Sequence, residues 1–237
     1  MRLRGKIRLV IMVLVTVINP IHSQQKQTSP LYLGISGGGA FGRSTFVSFA
    51  MDKTHPATSF GLLGGYIINK VFSAEASIDR THMTLGTYDC CRNLWLGADG
   101  NRYFAPLSGA LSYKYSDLTA TSNLLKVGAR FTIDLIGLKN ADSKWSALVS
   151  PGIYGIHSHA DVNASGTEVR TASTLHFGTG LNLGVGYCLS QEVTLRLSTG
   201  IDYLTGAIDA LPREEHKTSY ILNNALQLIV HLQRHEK

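Results

Sequence analysis

The sequence predicts an all-β chain closed into an eight-stranded, antiparallel, up-and-down transmembrane β-barrel. Three observations predict it. Apolar residues recur at alternate positions after Leu31, with turn residues between the runs and no apolar stripe at helical spacing over four turns. The opposing faces mix glycine with charge of both signs, which is odd for a solvated surface and suits a lumen only just wide enough for side chains. The connections between runs alternate between long and short.

The N-terminal segment stands apart from this pattern. Arg2, Arg4, Lys6 and Arg8 precede an apolar run from Leu9 to Ile18 that only Thr16 interrupts, and Asn19 and Pro20 break it. That order is the order of a secretory signal, and the run is shorter than the roughly 20 residues a membrane-spanning helix needs. Residues 1–23 are therefore expected to be a cleaved signal peptide, and 24–237 a single barrel domain with no Pro-rich or Gly/Ser linker dividing it. The leader holds four cations and no acid, so its loss takes 22 basic residues to 18 against 16 acidic, a net charge near +2 in place of +6. No basic stripe interleaved with aromatics remains, and nucleic acid is not an expected partner.

The period-2 runs fall at about 31–41, 58–69, 71–85, 118–135, 144–157, 173–188, 191–205 and 217–232. In the third, Phe72, Ala74, Ala76 and Ile78 oppose Ser73, Glu75, Ser77 and Asp79. The fourth sets Leu125, Val127, Ala129, Phe131 and Ile133 against Lys126, Gly128, Arg130, Thr132 and Asp134. In the sixth, Leu175, Phe177, Leu181, Leu183 and Val185 oppose His176, Gly178, Gly180, Asn182 and Gly184. The seventh sets Val193, Leu195, Leu197, Ile201 and Tyr203 against Thr194, Arg196, Ser198, Gly200 and Asp202, and the eighth gathers Tyr220, Leu222, Leu226, Leu228, Val230 and Leu232 on one side.

A single strand does not say which face is inside. In a soluble sandwich the apolar face is buried, whereas in a membrane barrel it meets lipid. Glu75, Asp79, Asp134 and Asp202 nearly balance Lys126, Arg130 and Arg196, and ions sealed from water persist only when paired. The expectation is one cross-strand network of these seven residues in the lumen, with Leu195, Leu197 and Ile201 turned to lipid. Solvent-facing charges on a sandwich are the alternative that strand pattern alone leaves open.

Loop lengths weigh for the barrel. The connections at 69–70, 136–143 and 189–190 are short, and those at 42–57, 86–117, 158–172 and 206–216 are long. Outer-membrane barrels alternate in this way because periplasmic turns are short and outward loops long. Tyr66, Trp145, Tyr187, Tyr203 and Tyr220 near strand ends suit the aromatic girdles of such a barrel.

On this architecture the chain resembles the small eight-stranded outer-membrane β-barrel proteins of Gram-negative bacteria, the group of the OmpA transmembrane domain, OmpX and the PorT-like porin family. The segments that carry the resemblance are 31–39, Phe60-Gly-Leu-Leu-Gly-Gly-Tyr66, Gly180-Leu-Asn-Leu-Gly-Val-Gly-Tyr187 and Ala225-Leu-Gln-Leu-Ile-Val-His-Leu232, and it covers nearly all of residues 30–232. It implies an integral outer-membrane protein in contact with outer-membrane lipid, and its PorT-like branch implies support of a secretion or envelope assembly. Such barrels typically end on an aromatic residue, whereas here Leu232 is followed by Gln233-Arg-His-Glu-Lys237.

Signals for chemistry are weak, and the expected role is non-enzymatic, with no cofactor. A narrow channel and a lipid-modifying enzyme are the alternatives. His157-Ser-His-Ala-Asp161 gathers two histidines, a serine and an aspartate at an outward strand end, but it matches no family motif and reads as a solvated loop. Cys90, Cys91 and Cys188 form no CxxC pair with partner histidines, so no structural zinc site is expected. An internal bridge, a link to another molecule and no bond at all stay open for them. Asp99-Gly-Asn-Arg102 lacks the spaced oxygens of a calcium loop and reads as a turn. Tyr88, Trp95, Tyr103 and Phe104, together with Tyr113 and Tyr115, crowd the loop after the third strand, as an outer binding surface or as a cap packed on itself.

Overall fold

The computed structural model describes residues 28–43, 57–86, 93–140, 142–211 and 219–233. Its strands are β1 (Thr28–Arg43), β2 (Ala57–Ile67), β3 (Phe72–Gly86), β4 (Trp95–Gly97), β5 (Arg102–Tyr103), β6 (Ser112–Lys114), β7 (Leu118–Asp134), β8 (Trp145–Ala164), β9 (Thr167–Cys188), β10 (Val193–Leu204) and β11 (Ser219–Gln233). β4, β5 and β6 form a small sheet in the segment between β3 and β7. The other eight strands form a closed antiparallel barrel in which each pairs with the next in sequence and β11 returns to β1. Closure satisfies both edges of every strand from within the protein, which hydrocarbon requires.

The three short turns are each pinned by a side chain. Asn69 Oδ1 accepts from the amides of Val71 and Phe72. Ser190 Oγ accepts from Glu192 and Val193. Asp134 Oδ1 accepts from Ile136 and Ala147, closing the turn between β7 and β8. Asp134 therefore serves a turn at the barrel mouth and makes no contact with the interior charges. As the last residue of β7 it lies beyond them, where the unpaired donors are amides.

The opposite end departs from the strict alternation of loops. In place of a long connection at 158–172, β8 and β9 continue as a hairpin to Ala164 and Thr167, joined by Ser165 (φ 50°) and Gly166 (φ 86°). Positive φ at both central residues is the geometry whose twist matches a hairpin. The polar composition of 157–174 conceals a strand because its hydrophobic phase is inverted: His157, His159 and Asp161 face out, while Ile156, Ala160, Val162 and Ala164 are buried inside.

That inversion recurs on neighbouring strands at one level. In β3, Ile78 is outward and exposed below Arg80, whereas Met83 and Leu85 above it are inward and buried. In β7, Leu125 and Val127 are exposed, but Leu118, Ala120 and Leu124 are buried inside. The register aligns Arg80 with Leu125, and Leu125 with His157. Below this row the wall is apolar outside, with Leu33, Phe177 and Leu197 each more than half exposed. Above it the strands follow water-soluble logic, with a mainly apolar interior and a polar exterior.

Aromatic rings mark the ends of the apolar band. Trp145 and Tyr187 pack at 4.7 Å near the short turns, and Phe72 and Phe131 stack at 5.4 Å. Tyr203 and Tyr220 lie 6.2 Å apart toward the loops, where Arg43 donates to the Tyr220 hydroxyl at 2.9 Å. Tyr187 is opposite Leu195 on β10, and from Leu195 to Tyr203 the strand runs about 26 Å, or about 20 Å along the axis at the roughly 40° tilt of such barrels. That height approaches the roughly 25 Å band of outer-membrane barrels.

One seam crosses the wall. The β7–β8 pairing lapses between Arg130↔Gly152 and Ile133↔Val149 without changing register, and Pro151, which has no amide hydrogen, sits in the gap. On the luminal side Thr132 Oγ1 and Ser150 Oγ are 2.9 Å apart and bridge the strands there. Ser150→Ala strands a buried hydroxyl beside the missing rung and is expected to lower unfolding stability by about 1–2 kcal/mol, measurable by urea titration of the chain in phospholipid vesicles.

Candidate functional site

The interior has two charged tiers beneath an apolar one. In the first tier, Glu75 on β3 accepts from Arg130 Nε at 2.6 Å, Arg196 at 2.7 Å and the Tyr32 hydroxyl at 2.6 Å. Arg130 is the direct cross-strand neighbour of Glu75, while Arg196 reaches it across the lumen from β10. In the second tier, Lys126 Nζ contacts Asp202 at 2.9 Å and Asp79 at 3.8 Å, and Asn223 donates to Asp202 at 2.7 Å. Ser77 and Ser36 donate to Asp79. Glu75 and Asp202 have no side-chain exposure and the other four groups are mostly buried, so three carboxylates and three cations balance one another with little access to water. Asp134, alone of the seven network candidates, is elsewhere.

Two glycines make this packing fit. A Cβ at Gly65 would run into the Tyr32 ring, and one at Gly128 into the Tyr154 ring. Tyr154 in turn lies under Lys126, with the ammonium 4.8 Å from the ring centre, and its hydroxyl accepts from Asn182. Glycine on the polar face thus marks where an aromatic ring lies over the neighbouring strand to hold a charge.

At the loop end the interior is apolar. Met83, Leu85, Leu124, Ile156, Leu204 and Ile208 belong to one buried cluster with Leu96 and Tyr115 of the loop segment. Ile208 comes from the segment after β10, which is tied down by bonds from Ser122 Oγ to its carbonyl and from Ser219 Oγ to the Gly206 carbonyl, both at 2.6 Å. The sequence reading missed this tier. Its signal is present in the Leu124-Leu125 doublet, where the apolar phase of β7 shifts from even to odd positions.

The remaining candidates separate. Trp95 pairs with Tyr103 across β4 and β5, and Arg170 donates to the Gly100 carbonyl at 2.7 Å, docking this small sheet on β9. Phe104 is 74% exposed with Arg102 over its ring, whereas Tyr115 is wholly buried. The Tyr103 hydroxyl donates to Asp99 at 2.6 Å, which holds that carboxyl below the ordinary aspartate range and pushes the phenol up. The Asn101 amide also donates to Asp99, making 99–101 a turn. Tyr88, Cys90 and Cys91 lie outside the described residues, and Cys188 is free and exposed.

His157 and His159 do not converge with Ser158, because alternation sends the serine inward. Ser158 Oγ instead lies 2.8 Å from Nε2 of His176, a pair buried inside the wall. His159 contacts Ser173 at 2.7 Å and Asp161 at 3.6 Å on the outer surface. Among the described residues no group of three or more His, Cys, Asp or Glu is placed to hold a metal.

No protein-family model and no curated protein matches the chain. Among solved structures it is similar to the Neisserial surface protein A, at 16% identity and a TM-score of 0.51 over 86% of this chain and 98% of that one. A major outer membrane protein of Thermus thermophilus aligns at 10% identity and a TM-score of 0.49 over 84% and 98% of the two chains. The attachment invasion locus protein Ail of Yersinia pestis aligns at 9% and 0.44 over 86% and 98%. The likeness to the Neisserial protein shows a shared fold, that of the small outer-membrane β-barrels, and carries no activity with it.

Within the interior, Glu75 is the residue on which two largely buried guanidinium groups depend. Glu75→Gln leaves them undercompensated and is expected to cost about 3 kcal/mol or more. Asp79→Asn, at a longer and partly exposed contact, is expected to cost about 1 kcal/mol. Urea unfolding of both variants in vesicles checks the order.

Proposed function

We propose that the chain is a non-conducting, non-enzymatic outer-membrane protein of a Gram-negative envelope, exported through residues 1–23 as a cleaved signal, which presents its loop-end sheet to another envelope protein. The observation that carries this reading is the interior itself: the Glu75 bridge spans the lumen, and the Ile208 cluster fills its outer end. A pore needs a continuous polar path, and each tier interrupts one. The exposed ring of Phe104, on a sheet braced against β9 through Arg170, supports a contact role for the loops. An assembly or secretion partner is the class that the PorT-like resemblance favours. The narrow channel and the lipid-modifying enzyme draw less support, since the lumen is crossed and His157, Ser158 and His159 point to different sides of the wall.

The test is electrical. Full-length protein that shows heat-modifiable migration on gels, the mark of a folded barrel, is expected to give no stepwise conductance in planar lipid bilayers. Reproducible steps from the folded form would contradict the reading.

A further inference from the structure

The row in which the apolar wall ends carries an arginine and a histidine that have no partner among the described residues. It runs Phe60, Arg80, Leu125, His157 and Leu175 across β2, β3, β7, β8 and β9. Arg80 and His157 are outward and exposed, and neither has a hydrogen bond or ion pair among the described residues. Two strand spacings separate them, about 10 Å between Cα atoms. In the row above, His82 is held by Asn123 at 2.9 Å and His159 by Ser173. Neither of these two rows contains a carboxylate. Among the described residues an outward carboxylate of these strands, Asp161, is a further row up, beside His159 and Thr171.

Below His157 the wall opens. Gly155 faces out between Val127 and Phe177 in the register, both exposed, and a Cβ built there would meet no atom within 4 Å. An arginine and a histidine at the edge of an apolar band, above a glycine with open space outside it, match one ligand in both parts: a phosphate above and an alkyl chain beneath.

We propose that Arg80 and His157 bind the phosphate of an anionic bilayer lipid at the loop-end boundary of the barrel, with an acyl chain of that lipid lying over Gly155. This rests on the membrane-spanning reading above. Arginine suits the role because its planar fork matches phosphate oxygens, and its weakly hydrated charge is held easily at an interface.

The experiment reconstitutes the full chain in phosphatidylcholine vesicles containing a trace of spin-labelled phosphatidylglycerol or spin-labelled phosphatidylcholine, and reads the motionally restricted lipid. The expected result is an association of the anionic label about fivefold above the neutral one, the value of one interfacial cation at ~1 kcal/mol. In the double variant Arg80→Gln/His157→Gln the ratio is expected to fall to near unity, while Arg102→Gln in the loop sheet keeps it. A double variant that retains the ratio, or an Arg102→Gln chain that loses it equally, overturns the site. Wild-type chain that inserts with no preference overturns the site alone, and chain that restricts neither label overturns the membrane reading with it.

Discussion

Hydrocarbon offers no partner to a charge or an amide, and that absence organises this molecule. Inside the band every backbone strand is paired to the next around a closed ring, and the side-chain ions are gathered on the axis around Glu75 and Asp202. Buried ion pairs are weak sources of net stability because desolvation offsets much of their attraction. Their consequence is specificity of register: slipping β3 by one residue would turn Glu75 and Asp79 into lipid and leave Arg130 and Arg196 without their carboxylate inside.

The same constraint explains where it stops. Above the Arg80–Leu125–His157 row the strands continue for about seven residues, roughly 23 Å, into a region where water replaces lipid and the sign of the pattern reverses. Polar residues then cost nothing outside, and the interior fills with Leu, Ile and Met, which the loop segments help to bury. The chain is thus an inside-out barrel and a conventional one stacked end to end on common strands. The loop sheet is held by both the buried cluster and Arg170, so it is presented as a rigid part of the wall's extension.

Much of this is legible in the residues. Strict alternation in 72–79, 125–133 and 193–203 gives the strands their positions and faces, and of the seven charges expected in one luminal network six lie in two tiers, around Glu75 and around Lys126. The failures share a physical cause. Asp134 has the right parity, but periodicity does not say how deep along the axis a residue lies, and at a strand end the turn amides claim its carboxylate. The hairpin of β8 and β9 reads as a loop because its outward histidines and aspartate look like loop composition unless the phase change at Ile156 is followed. Ser158 and His176 are eighteen residues apart in sequence, and only the register of that hairpin brings them together.

The stacked arrangement is tested most directly by a nitroxide scan of the outward positions of β7, Thr119 to Phe131 at every second residue, in vesicles. Collisions with oxygen, which concentrates in hydrocarbon, should dominate from Leu125 to Phe131, and collisions with an aqueous nickel chelate should dominate from Thr119 to Asn123. A uniform response along the strand, or a crossover displaced to either end of it, would contradict the account.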